Sequence, residues 1–184
     1  MGETVHGTET PLPWVVRFAA LVPAGGPVLD LACGNGRHTR LFCARGHAVT
    51  AVDLDVSQLG ELADDAGVTT HSADLEDGSP WPLEGQAFAG VVVTNYLWRP
   101  LLPHILDAVA PRGALIYETF AVGNEDFGRP SNPDFLLHPG ELLETVAGRL
   151  TVVAYEHGVV TTPAQAVKQR ICAIRDEAPA HLPA

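Results

Sequence analysis

The feature that most constrains this chain is a recurring alternation: short β-branched runs closed by Gly or Pro, each followed by a helical stretch of about ten residues. Strands joined in this way run parallel, because each helix carries the chain back across a face of the sheet before the next strand begins. The runs fall at Val28–Leu31, Ala48–Val52, Val68–His71, Gly90–Thr94 and Ala114–Tyr117. Helices are expected near 37–45, 56–66, 97–109 and 140–148. Two final strands, Leu150–Tyr155 and Val167–Arg175, have only a loop between them, too short for a crossover helix, so they pair antiparallel. The expectation is an α/β fold: a doubly wound, seven-stranded sheet, mostly parallel with an antiparallel last strand, and helices on both faces.

The length of 184 residues and an apolar fraction of 46% suit one domain with a sizeable core, spanning 1–184. Residues 1–11 read as a loose polar arm, and Pro13–Leu21 as a helix with Pro in its first turn. The net charge of −11, from 22 acidic residues against 11 basic ones, repels phosphate backbones, so nucleic acid is not expected as a partner. Cys33, Cys43 and Cys172 show no metal-ligand spacing, so neither zinc nor a disulfide is expected. No leader pattern and no long apolar run stand out, which makes a cytoplasmic protein the expectation and a membrane not a partner. Oligomeric state leaves no mark in the sequence.

The first strand runs into Ala32-Cys-Gly-Asn-Gly36, and in doubly wound sheets ligands sit outside the carboxyl ends of the strands, where backbone must approach closely. Gly34 and Gly36 suit that place, and a helix opening at Arg37 offers free N–H groups and a positive dipole end above the turn. A glycine loop alone has little specificity. Three acids sharpen it: Asp30 within the first strand, Asp53 closing the second and Asp74 after the third. An acid at the second strand end can accept both ribose hydroxyls, and one after the third can take an adenine amino group. Singly, each reads equally as a solvated carboxylate or a helix cap. The dinucleotide fingerprint fails at Thr39, where a third glycine belongs, and Asp30 sits where it opposes a pyrophosphate yet suits an ammonium. That combination favours S-adenosylmethionine over NAD.

With these motifs the chain resembles the class I methyltransferases, Rossmann-like in fold, over nearly its whole length. Asp30-Leu-Ala-Cys-Gly-Asn-Gly36 corresponds to the family's first motif, with Ala32 at its first glycine, and Val49-Thr-Ala-Val-Asp53 to its second. The resemblance implies that Asp53 binds the ribose, Leu54 packs on adenine and Asp74 with Leu75 reads the adenine edge, while Asp30, Ala32, Gly34 and Gly36 hold the methionine end. Within the family, the short chain and the Gly-Asn-Gly-Arg turn look like the tellurite-resistance-type small-molecule enzymes.

Methyl transfer is an in-line displacement, so the protein's main task is to hold donor and nucleophile together. The resemblance sets the end of the fourth strand beside the transferring methyl, which makes Asn95 and Tyr96 candidate pocket residues, with Asn95 also against the cofactor. Asn95 reads equally as a cap for the next helix, and Tyr96 as core filling. Glu118, ending the fifth strand, is the candidate acid or base; the plainer reading pairs it with Arg99, Arg129 or another loop-anchoring Arg. Arg17 or Arg37 could meet the methionine carboxylate, Arg17 from a helix whose Trp14 suggests a lid. His38 and His138 receive no role. The irregular stretch at 119–138 is expected to form the acceptor pocket. The expected activity is transfer of a methyl group to a small molecule, a thiol, metalloid anion, carboxylate or hydroxyl. The alternatives are an NAD(P)-dependent oxidoreductase and a non-catalytic cofactor-binding module.

Overall fold

A computed structural model describes residues 10–183, so most of the expected N-terminal arm at 1–11 lies outside the described residues. Seven strands form one sheet: β1 (Val28–Leu31), β2 (Val49–Asp53), β3 (Val68–Ser72), β4 (Phe88–Thr94), β5 (Val109–Phe120), β6 (Thr151–Val160) and β7 (Ala166–Ile174). Their order is β3-β2-β1-β4-β5-β7-β6. The pairs from β3 through β5 are parallel, and β7 is antiparallel to both neighbours, β5 and β6. The order turns at β1, where β2 and β4 leave in opposite directions and a crevice opens beyond the strand ends.

The strands alternate between two apolar layers, because successive side chains point to opposite faces. On one face Leu29, Leu31, Val91, Val93, Leu115 and Tyr117 pack beneath α3 (Leu102–Asp107) and α4 (Glu141–Val146). On the other face Val28, Val92, Ala114 and Ile116 meet α1 (Pro13–Phe18) and Phe42 of α2 (Arg37–Ala44). α1 begins at Pro13, whose missing N–H is no loss in a first turn.

The helices are shorter than expected, and Pro and Gly explain most of the loss. The expected helix at 56–66 is a 3-10 segment, Val56–Asp64, broken at Gly60, whose φ of 56° and ψ of −134° no helix contains. The expected helix at 97–109 becomes a 3-10 turn, Arg99–Leu101, and the six-residue α3, with Pro100 and Pro103 in their first turns. The return from edge strand β3 to central β4 runs through 73–87 without a helix; Trp81 and Leu83 cover the core instead, Trp81 stacked on His104. No described helix is long and apolar enough to cross a membrane.

The irregular stretch at 119–138 is folded down. Asn124 donates to the Pro130 carbonyl and accepts from the amide of Val167. Arg99 donates to both carboxylate oxygens of Glu141 and to the carbonyls of Asp134 and Leu136. Gln169 ties the far end, accepting from the amide of Leu142 and donating to the carbonyl of His138.

Candidate active site

The glycine turn leaves β1 with the backbone in left-handed conformations: φ is 53° at Ala32, 55° at Gly34 and 75° at Gly36. For Ala32 that conformation costs roughly 1–2 kcal/mol, a cost a glycine avoids. The two glycines are needed for different reasons. A Cβ on Gly34 would meet nothing, so its backbone angle alone demands glycine, whereas a Cβ on Gly36 would lie 2.6 Å from Leu59 and 2.7 Å from Leu62. The close approach at Gly36 is thus to the protein's own side chains.

Asp53 at the end of β2 braces this turn: its Oδ2 accepts from the amide of Gly34 at 2.8 Å and its Oδ1 from the amide of Asp55 at 3.2 Å. Asp30 lies beneath the turn, 1% exposed, and its Oδ2 accepts from the Thr39 hydroxyl at 2.7 Å. Thr39, which removes the third dinucleotide glycine, is therefore the partner that holds Asp30. Burial raises the Asp30 carboxyl to about 7, although Thr39 and the Arg37 guanidinium favour its charged form.

A cleft of about 400 Å³ opens above the ends of β1 and β2, between the segment after β3 and the exit of β4. It is lined by Ala32, Asp53, Leu54, Ala73, Asp74, Leu75, Glu76, Asp77 and Tyr96. Leu54 is 67% exposed, a large apolar side chain left bare at the rim. Asp74 folds its own segment, Oδ1 accepting from the amide of Glu76. The hydroxyl of Tyr96 is buried with no hydrogen-bond partner among the described residues. Desolvation and the Glu76 carboxylate beside it push its ionisation well above the usual tyrosine range, so it is a neutral donor facing that carboxylate. The Tyr117 hydroxyl donates to the Tyr96 carbonyl at 2.9 Å, fixing the backbone beneath it.

A second group of polar side chains stands at the ends of β4, β5 and β7. Asn95 does not cap a helix: it has a φ of 55° and its Oδ1 accepts from Lys168 Nζ at 2.5 Å. Lys168 is 7% exposed, lies 3.1 Å from the centroid of the Phe120 ring, and burial draws its ammonium down to about 7 against the pull of Glu118. Glu118 is 4% exposed, with Arg170 at 3.7 Å and one carboxylate oxygen, Oε2, without a hydrogen bond. Burial raises its carboxyl, while Lys168, Arg170 and Arg37 pull it back. Neither Arg99 nor Arg129 is its partner: Arg99 serves Glu141 and the loop.

Arg17 is turned to Glu156 of edge strand β6 at 3.7 Å, and Arg170 stacks over Trp14 at 4.9 Å, so α1 seals this face through its aromatic ring. That geometry does not fit Arg17 as the partner of a methionine carboxylate over β1. Arg37, 8% exposed at the opening of α2, lies near the carboxylates of Asp30 and Glu118. His38 is a structural, neutral ring: Nε2 accepts from the Leu12 amide, and burial with the Arg37 charge holds its pKa down to about 3. Sequence reasoning missed Lys168 and Arg170. Their signal was there, because Lys168 is the sole lysine of the chain and stands within the otherwise largely apolar Ala-Val-Lys-Gln-Arg-Ile-Cys-Ala-Ile.

The acidic cleft with a bare leucine and the braced glycine turn suit an adenosine-bearing cofactor with a cationic amino acid tail. The methyltransferase-domain family matches residues 28–113. Trans-aconitate 2-methyltransferase of Methylobacterium nodulans is 36% identical over 106 residues, covering 52% of this chain and 40% of that protein. Ribosomal RNA small subunit methyltransferase A of Anaeromyxobacter dehalogenans is 37% identical over 124 residues, covering 59% of this chain and 43% of that protein. The chain thus spans about two fifths of the length of these relatives. TehB from Haemophilus influenzae superposes with a TM-score of 0.73 at 16% identity, over 90% of this chain and 63% of that one. A Burkholderia thailandensis 1,6-didemethyltoxoflavin-N1-methyltransferase, solved with 1,6-didemethyltoxoflavin and S-adenosylhomocysteine bound, superposes with a TM-score of 0.66 at 23% identity, over 89% and 76%. Residues 28–113 thus match the methyltransferase-domain family, and the chain has the fold of these solved methyltransferases.

Proposed function

We propose that this domain transfers the methyl group of S-adenosylmethionine to a small-molecule acceptor. The observation that carries the reading is the cleft itself, where Ala32, Asp53, Leu54, Asp74, Leu75 and Tyr96 converge from the ends of successive strands. S-adenosylmethionine supplies a sulfonium-activated methyl for in-line displacement. In this reading Asp53 keeps lone pairs for the ribose hydroxyls after bracing Gly34, Leu54 gives the adenine an apolar surface, and Asp74 with Leu75 meets its edge. Asp30 and the turn at Gly34 and Gly36 receive the ammonium end, and Arg37 the carboxylate. Asn95, Tyr96 and Glu118 face the acceptor, with the folded stretch at 119–138 as its wall.

Two things support a small acceptor. The net charge of −11 opposes a polyanion, and two of the similar proteins carry small acceptors in their names, although another acts on ribosomal RNA. Three free thiols accord with a reducing, cytoplasmic setting. The test is a screen for S-adenosylhomocysteine release across thiols, metalloid oxyanions, carboxylates and phenols. Cofactor-dependent turnover with one of these classes is expected; turnover on RNA alone would overturn the small-molecule reading, and cofactor binding without turnover on either would leave a binding module.

A further inference from the structure

A deeper assignment, resting on the methyltransferase reading, concerns what the acceptor is. We infer that the recess over Lys168 and Arg170 is a carboxylate seat, in which Lys168 meets the carboxylate of a small organic-acid acceptor.

Four independent observations carry it. Lys168 is the only lysine of the chain and is nearly buried, yet a recess of about 320 Å³ between β6 and β7 opens onto it and Arg170. The ammonium is held in place from two sides, by Asn95 Oδ1 and the face of Phe120, so little conformational freedom remains to be lost on binding. Across the strand pair the residue opposite Lys168 is Gly158, where even a Cβ would meet nothing, so β6 leaves the approach uncovered. Finally, charge runs against the rest of the molecule: Arg17, Arg37, Lys168 and Arg170 gather around Glu118, Glu156 and Asp30, four cations to three acids, in a chain of net charge −11.

Glu118 refines the class of ligand. Its buried Oε2 faces Arg170 at 3.7 Å, too long for a hydrogen bond, so a hydroxyl beside the acceptor's carboxylate would complete it. A hydroxycarboxylate satisfies both groups. A carboxylate also exists on the cofactor, but β7 stands three strands from β1, roughly 14 Å at ~4.8 Å per strand, beyond the glycine turn that holds the methionine end. Lys168 reaches back to Asn95, at the strand end beside the cleft, which links the seat to the site of transfer.

The sole lysine makes the test clean, since lysine-selective isotope labelling gives one side-chain NMR signal. With L-malate as the probe and chloride at matched ionic strength as the control, the signal should shift saturably, and its titration midpoint should rise as a bound anion favours the ammonium. Calorimetry should show malate binding weakened at least tenfold in Lys168→Gln. The same loss is expected in Gly158→Val, which covers the recess and leaves the cluster intact. Saturating S-adenosylhomocysteine should leave malate bound. A signal indifferent to malate, or malate affinity unchanged in both variants, overturns the seat; displacement of malate by S-adenosylhomocysteine assigns the carboxylate to the cofactor and overturns the acceptor. If wild-type protein fails to bind S-adenosylhomocysteine at all, the methyltransferase reading fails, while the malate titration still decides the seat.

Discussion

Single residues here carry costs that a purely structural protein would shed. Ala32 holds a left-handed φ of 53° in the first motif, and Ala32→Gly should raise stability by about 1 kcal/mol in urea unfolding, the relieved strain exceeding the entropy lost. An unchanged or lowered midpoint would mean the turn relaxes around alanine. Asp30 is the larger case. Its folded pKa of about 7 lies above the unfolded value near 3.8, so between these values the folded state binds more protons. Stability from this group is therefore full below the unfolded value and lost as pH rises through about 7. Asp30→Asn should be more stable than wild type by at least about 1 kcal/mol at pH 8, with the gain shrinking toward pH 4. The same variant should bind S-adenosylhomocysteine more weakly, because the carboxylate that destabilises the apo fold is the one set to receive an ammonium. A pH-independent difference in unfolding would remove Asp30 from that role.

At the level of elements, Arg99 ties the stretch after β5 to α4 through four hydrogen bonds, two of them to Glu141. Because the side chain is 34% exposed, Arg99→Ala should cost only about 1–2 kcal/mol. The sharper expectation is local: hydrogen exchange should accelerate across 121–138 and remain unchanged in β1 and β4. Uniform acceleration would mean that the anchor holds the whole fold. The strands were legible in the sequence because parallel central strands are buried on both faces and read as Val- and Leu-rich runs, as in Val28–Leu31 and Phe88–Thr94. The helices were less so. Gly60 and the prolines at 100 and 103 override apolar periodicity, and the crossover at 73–87 hides its packing in Trp81 and Leu83. In the site, the cleft residues were readable because each follows a strand end at fixed spacing. Lys168 was not, because its function depends on register: only the pairing of β7 with β5 brings it beside Phe120 and across from Gly158.

Over the whole molecule, the sheet order sets two neighbouring polar clusters of different electrostatic character. The cleft over β1 and β2 is acidic, with Asp53, Asp74, Glu76 and Asp77, and suits a cofactor of net positive tail. The cluster over β5 and β7 sets Lys168 and Arg170 against Glu118 and Glu156, and in the proposed reading its lysine takes an anionic acceptor. Tyr96 and Asn95, consecutive at the exit of β4, belong one to each cluster, so in the proposed reading the strand that ends beside the turn of chain order joins donor to acceptor. The measurement that bears most directly on this arrangement is calorimetric titration of the wild-type chain and Asp53→Ala with S-adenosylhomocysteine and with NAD. Micromolar binding of S-adenosylhomocysteine, weakened in Asp53→Ala by about 2 kcal/mol or roughly thirtyfold, with no binding of NAD, is predicted. Binding of NAD without binding of S-adenosylhomocysteine would contradict it.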